Sequence, residues 1–119
     1  MKNLKEGLRW LDQAFADMKT AKDCLKDGNY YATAFFAQQA AEKALKGFLY
    51  AQGYRALITY SVVELLEESL KVNEQFKQFL DSNFYPSGAP YKYYTEEVAQ
   101  KCLNYAELIL NEVKKYLRK

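Results

Sequence analysis

Residues 30–52 read YYATAFFAQQAAEKALKGFLYAQ, with no proline and no glycine before Gly47. Through Ala41 the apolar residues occupy more than one face of a helix, which a helix with a single side to solvent does not require. The segment is therefore either the central helix of a bundle or a helix packed against another chain. Asp27-Gly28-Asn29 precedes it and Gly53 closes it. Gly28 suits the left-handed conformation that ends a helix and Asn29 suits the N-cap of the next, which predicts a tight, antiparallel connection. The element on the other side of that turn spans residues 4–26. There Leu4, Leu8, Leu11, Phe15, Met18 and Leu25 recur at helical spacing as an apolar stripe.

Downstream, residues 54–59 form a short link, with Arg55 and Tyr60 as its polar-tipped side chains. Ser61-Val-Val-Glu64 fits a capping box, in which the serine and glutamate side chains satisfy exposed backbone amides at a helix start. The helix it opens carries Val62, Leu65, Leu66 and Leu70, and Asn73 is expected to restart a segment bearing Phe76, Phe79, Leu80 and Phe84. Residues 84–91 (FYPSGAPY) hold both prolines and a glycine and are predicted to form a loop crowded by Tyr85, Tyr91, Tyr93 and Tyr94. Thr95 followed by Glu96-Glu97 marks a last helix start, and Val98, Cys102, Tyr105, Ile109, Val113 and Leu117 continue its stripe. Lys114, Lys115, Arg118 and Lys119 suit the dipole at its C-terminus. The expected fold class is all-α: an up-and-down four-helix bundle with a short, broken extra middle helix, as one domain over residues 1–119.

A length of 119 residues with 50% hydrophobic content fits one domain. The chain has no histidine, which excludes a Ser-His-Asp or Cys-His nucleophile and the Glu-x-x-His iron site of carboxylate bundles. Its five glycines are scattered and form no phosphate-binding loop. Cys24 and Cys102 match no Cys-x-x-Cys or zinc spacing and read as small buried hydrophobes. No cofactor and no metal are expected. A net charge of +2 is too weak to argue for nucleic acid or membrane by itself. Residues 61–84 carry five acids and two lysines, so this hairpin is a poor nucleic-acid surface. The N-terminus MKNLKEGLRWLD is charged throughout, and the most apolar run, Tyr30 to Ala37, is too short for a secretory signal or a membrane span. The expected compartment is the cytoplasm.

Trp10 with Asp17, then the run Phe36 to Lys46 (FAQQAAEKALK), then Ser61 to Leu66 (SVVELL) and the proline-tyrosine loop stand in an order that resembles the HEPN domain, of the small stand-alone prokaryotic type. The resemblance covers nearly the whole chain, and the AQQAAEKALK run is its most specific part. It implies a helical bundle paired as a homodimer that binds or acts on RNA or nucleotides. It also implies a minimal nucleotidyltransferase as partner and a place in toxin–antitoxin systems. Ribonuclease members of the family use an arginine and a histidine in an R-x(4–6)-H motif at a cleft between protomers. This chain lacks that motif. Tyr60 stands where small relatives carry a histidine, and Gly88-Ala89-Pro90 where they carry Arg-Tyr-Pro.

Gln39, Glu42, Lys43 and Lys46 share one polar strip of the second helix and are the first candidates to line a nucleotide or RNA groove. The plainer alternative is an i,i+4 pair between Glu42 and Lys46, with the glutamines bonding across a helix interface. Arg55 and Tyr60 sit in the region that the resemblance makes the cleft and are the second candidates, against structural bonds to loop carbonyls. The loop tyrosines either stack on bases or close the bundle end. Three readings of function stay open: a non-cutting protein that binds RNA, a nucleotide or a nucleotidyltransferase; an active ribonuclease toxin using other residues; and a purely structural interaction module. The missing histidine weighs against an enzyme.

Overall fold

Asn3 opens the first helix by accepting the Glu6 N–H on its side-chain oxygen (3.4 Å), and α1 runs Leu4–Lys26. The computed structural model of the chain describes residues 1–58, 61–81 and 93–118. Gly28 ends α1 with φ +73°, the left-handed geometry expected there. Asn29 occupies the N-cap of α2, Tyr30–Ala51, but its side chain makes no capping bond. Its carbonyl instead accepts both the N–H and the hydroxyl of Thr33 (3.0 Å each). After the link, α3 spans Val62–Val72. A single 3₁₀ turn, Glu74–Phe76, leads into the short α4, Lys77–Asp81. The last helix, α5, spans Glu96–Leu117. Three predicted caps are in place: Ser61 accepts from Glu64 N–H, Asn73 from Gln75 N–H and Thr95 from Val98 N–H. Among the described residues every regular element is helical. Phe84, Tyr85, Tyr91 and the Gly88-Ala89-Pro90 position lie outside them.

Of the two positions open to residues 30–52, the central one is observed. α2 packs against α1, α5 and α3, and Ala37, Ala40, Ala41, Ala44, Leu45 and Leu49 are wholly buried. Tyr31 and Phe35 are the exceptions on this helix, 54% and 53% exposed. α1 and α2 run antiparallel, joined at one end by the Asn3 N–H to the Ala51 carbonyl (3.1 Å). They cross at glycines. A Cβ on Gly7 would lie 2.6 Å from the Ala51 Cβ and 2.7 Å from the Gly47 carbonyl, and one on Gly47 would lie 2.8 Å from the Gly7 carbonyl. This contact shifts the buried stripe of α1 from the expected one. Gly7, Leu11, Ala14, Met18 and Ala21 face the core, Leu8, Phe15 and Leu25 are half-buried, and Leu4 is exposed. Small residues let α2 approach closely, and a hydrophobicity pattern gives them little weight.

Ion pairs Lys22–Glu107 and Asp12–Arg118 set α5 antiparallel to α1. Phe48, Phe76 and Tyr116 tie α2, the 3₁₀ turn and α5 together with ring centroids 4.7 to 6.0 Å apart. The buried Tyr105 hydroxyl donates to the Phe79 carbonyl at 2.5 Å, anchoring α4 to α5. Both cysteines are free thiols. Cys102 is buried as expected, whereas Cys24 is only half-buried at the end of α1. Among the described residues no helix is long and apolar enough to cross a membrane.

Candidate functional site

The polar strip of α2 lies along its seam with α1, which changes what its residues can do. Lys43 Nζ reaches Asp17 Oδ2 at 2.6 Å, and the other Asp17 oxygen accepts from the Gln13 amide at 3.1 Å. Lys43 is thus neutralised across the helix pair. Glu42 is buried to 7% exposure and accepts from the Gln38 amide at 3.4 Å. The glutamine bond therefore runs within α2 and not across an interface. Burial pushes the Glu42 carboxyl above the usual glutamate range, against the opposing pull of Gln38, Lys46 and Lys43. Lys46, equally buried, is lowered from the usual lysine range by the same desolvation. Its ammonium stands 5.7 Å from the centroid of the Trp10 ring, a cation–π contact, and Glu42 acts on it electrostatically. Gln39 is half-buried. Glu42, Lys43 and Lys46 thus each have a partner in the seam between α1 and α2.

One turn further along, the same seam opens. Trp10 packs against Tyr50 with centroids 5.5 Å apart and planes at 30°, and its indole N–H donates to Glu6 Oε1 at 3.0 Å. Arg9 grips the same carboxylate through Nη2 (2.6 Å) and Nε (3.2 Å). These bonds hold the Glu6 carboxyl below the usual range, with Arg9 the larger influence. A cavity of about 480 Å³ lies beside this group, lined by Lys2, Asn3, Glu6, Trp10, Tyr50, Gly53, Tyr54 and Arg55. Gly53 takes φ +107°, and a Cβ there would lie 3.0 Å from the Lys2 side chain, so bare backbone forms this part of the wall. The Tyr54 hydroxyl donates to Glu68 at 3.2 Å, and burial, then that partner, raises its pKa.

Arg55, of the second predicted pair, is therefore placed at the cavity rim. Tyr60 lies outside the described residues. Arg55 and Lys2 are exposed, and among the described residues neither enters an ion pair. Lys2, Tyr50 and Tyr54 were not among the sequence candidates. Tyr50 was within reach, because it extends the strip of Glu42 and Lys46 by one i,i+4 step; Lys2 arrives only through the pairing of Asn3 with Ala51. Chemically, the cavity offers aromatic walls and two exposed cations that enter no ion pair among the described residues. The Glu6 carboxyl is held below its usual range and the Tyr54 hydroxyl above its own. Aromatic faces beside cations are the chemistry that complements an anion bearing a ring.

Residues 8–116 match the family model of the HEPN domain. Among solved structures, the chain is similar to "ST0689, an archaeal HEPN homologue", with TM-score 0.73 and 37% identity over 96% of this chain and 99% of that one. It is also similar to TT1696 from Thermus thermophilus, with TM-score 0.69 and 30% identity over 97% and 98% of the two chains. A curated relative from Methanocaldococcus jannaschii, named "Putative toxin MJ1304", is 25% identical over 138 aligned residues, covering 98% of this chain and 91% of its own.

Proposed function

The chain belongs to the HEPN domain family, and from that premise we propose that it is a homodimeric RNA- or nucleotide-binding protein of a toxin–antitoxin pair that does not itself cut RNA. The observation that carries the binding half of this reading is the cavity where Trp10, Tyr50 and Tyr54 meet the exposed cations Lys2 and Arg55. Aromatic faces take bases without needing a sequence, and cations take phosphate. The toxin setting is supported by the name of the Methanocaldococcus jannaschii relative. The absence of cutting rests on the sequence: with no histidine, the R-x(4–6)-H motif has no acid or base.

A minimal nucleotidyltransferase is the second reading of the partner. It is favoured by the groove on the other side of Tyr54, where Leu57 and Ile58 lie beside Glu64, Glu67, Glu68 and Lys71. Ile58 is 88% exposed, and the carboxylates repel nucleic acid, so this surface suits a protein.

The test is incubation of the purified protein with single-stranded and structured RNA, read for retention and for cleavage in the same samples. Retention that weakens as salt rises, with intact RNA, is expected. Cleavage would promote the ribonuclease reading, and neither retention nor cleavage would leave protein docking as the function.

A further inference from the structure

We infer that the cavity beside Trp10 holds one unpaired nucleotide together with a terminal phosphate, the base against the aromatic wall and the phosphate between Lys2 and Arg55. The inference rests on the RNA- or nucleotide-binding reading above and narrows it to a ligand class.

Three features converge on that class. The first is size: about 480 Å³ falls in the range of roughly 300–1,000 Å³ typical of small-molecule sites. The volume suits a single nucleotide. The second is wall chemistry. Trp10 and Tyr50 form a packed ring pair, and stacking requires an exposed base face, which a base inside a duplex does not offer. The third is charge. Arg55 and Lys2 stand at the rim outside any ion pair among the described residues, whereas Arg9 is committed to Glu6. An arginine fork and a lysine ammonium are complementary to a phosphate that carries more than one negative charge.

The acidic groove beside Tyr54 supports a terminal phosphate. Tyr54 borders both the cavity and the groove that carries Glu64, Glu67 and Glu68, and its hydroxyl is bonded to Glu68. A strand continuing past Tyr54 would bring its next phosphates against those carboxylates. The electrostatically favoured ligand therefore ends at the cavity, either as the end of an RNA strand or as a free nucleoside monophosphate.

Trp10 is the sole tryptophan, so its emission reports occupancy. The experiment titrates the full chain with adenosine monophosphate, adenosine, and single-stranded oligoribonucleotides bearing a 5′-phosphate, a 3′-phosphate or neither. A blunt duplex is included, and RNA retention is measured in parallel. Saturable quenching by adenosine monophosphate or a phosphorylated strand is expected, with adenosine and the unphosphorylated strand weaker by about tenfold or more. The Lys2→Ala/Arg55→Ala double variant should lose about tenfold or more in this affinity while keeping its helical circular dichroism, because both side chains are exposed. A response to adenosine monophosphate alone assigns the site to free nucleotides; a response to a phosphorylated strand assigns it to RNA ends. RNA retention with no change in Trp10 emission would overturn the cavity assignment and leave RNA binding standing. Equal response to phosphorylated and unphosphorylated ligands, or to the duplex, would also overturn it. Absence of both retention and quenching would overturn both readings.

Discussion

Glu42 shows how burial and near neighbours govern a carboxylate at the centre of a polar strip. Its folded pKa lies above the ordinary glutamate value because burial penalises the charge more than Gln38, Lys46 and Lys43 relieve it. A raised folded pKa means that the native state binds the proton more tightly than the unfolded chain. The associated stability is complete below the unfolded value and is lost as pH rises through the folded one. Glu42→Gln should therefore raise the thermal midpoint at neutral pH and leave it unchanged in acid below the usual glutamate range. A melting series across pH reads this directly, and a variant less stable at neutral pH would show that Glu42 is held mainly by its lysines. Tyr105 gives the opposite expectation. Its hydroxyl, pushed up to about 12 by burial, donates to the Phe79 carbonyl, so Tyr105→Phe strands a buried acceptor and should cost about 1–3 kcal/mol in denaturant unfolding. The sequence placed Glu42, Lys43 and Lys46 on one strip correctly. It could not show that Trp10 and Asp17 arrive from α1 to cover and neutralise that strip, because the partners lie more than two dozen residues away.

Helix boundaries were legible because caps are local chemistry. Ser61, Asn73 and Thr95 each bond an amide two or three residues ahead, and Gly28 takes the positive φ that its place after α1 suggests. The broken middle helix follows from the same rule, since Asn73 ends α3 and caps the 3₁₀ turn. The helix faces were less legible, and α1 shows why. Its leucine spacing pointed to a stripe containing Leu4 and Leu8, whereas the close crossing with α2 centres on Gly7, a residue that contributes nothing to hydropathy. What makes Gly7 and Gly47 necessary is the other helix. Gly47→Ala would set a methyl 2.8 Å from the Gly7 carbonyl and 3.1 Å from the Trp10 Cβ, both in rigid surroundings. The favourable helix propensity of alanine, about 1 kcal/mol, is then outweighed by overpacking. A net loss of about 1–2 kcal/mol is expected, visible as a lower denaturant midpoint with an unchanged slope. A stabilised Gly47→Ala variant would mean that the helices separate at little cost and that the crossing does not depend on glycine.

For the whole molecule, the open question of covering α2 reduces to two side chains. α1, α5 and α3 take up most of its circumference, and what is left at its N-terminal half is Tyr31 and Phe35, four residues apart and both more than half exposed. Phe35 meets the half-buried Phe36 edge to face, with centroids 5.2 Å apart, which fixes an aromatic ridge on this face. Large aromatic rings in a raised pair are costly to leave in water, and the commonest way a chain covers such a ridge is with its own copy about a two-fold axis. The expected species at micromolar concentration is a dimer, sedimenting at twice the 13.9 kDa chain mass. Phe35→Glu should place two carboxylates near that axis and shift the protein to monomer, with its circular dichroism unchanged because Phe35 is outside the core. Tyr31 and Tyr50 are separated on α2 by about 28 Å of helical rise, so this interface and the cavity at Tyr50 occupy opposite ends of one helix. Nucleotide-induced quenching of Trp10 should accordingly survive in the Phe35→Glu monomer. Loss of quenching on dissociation would instead mean that the partner copy completes the cavity, and native protein sedimenting as a single chain would remove the dimer altogether.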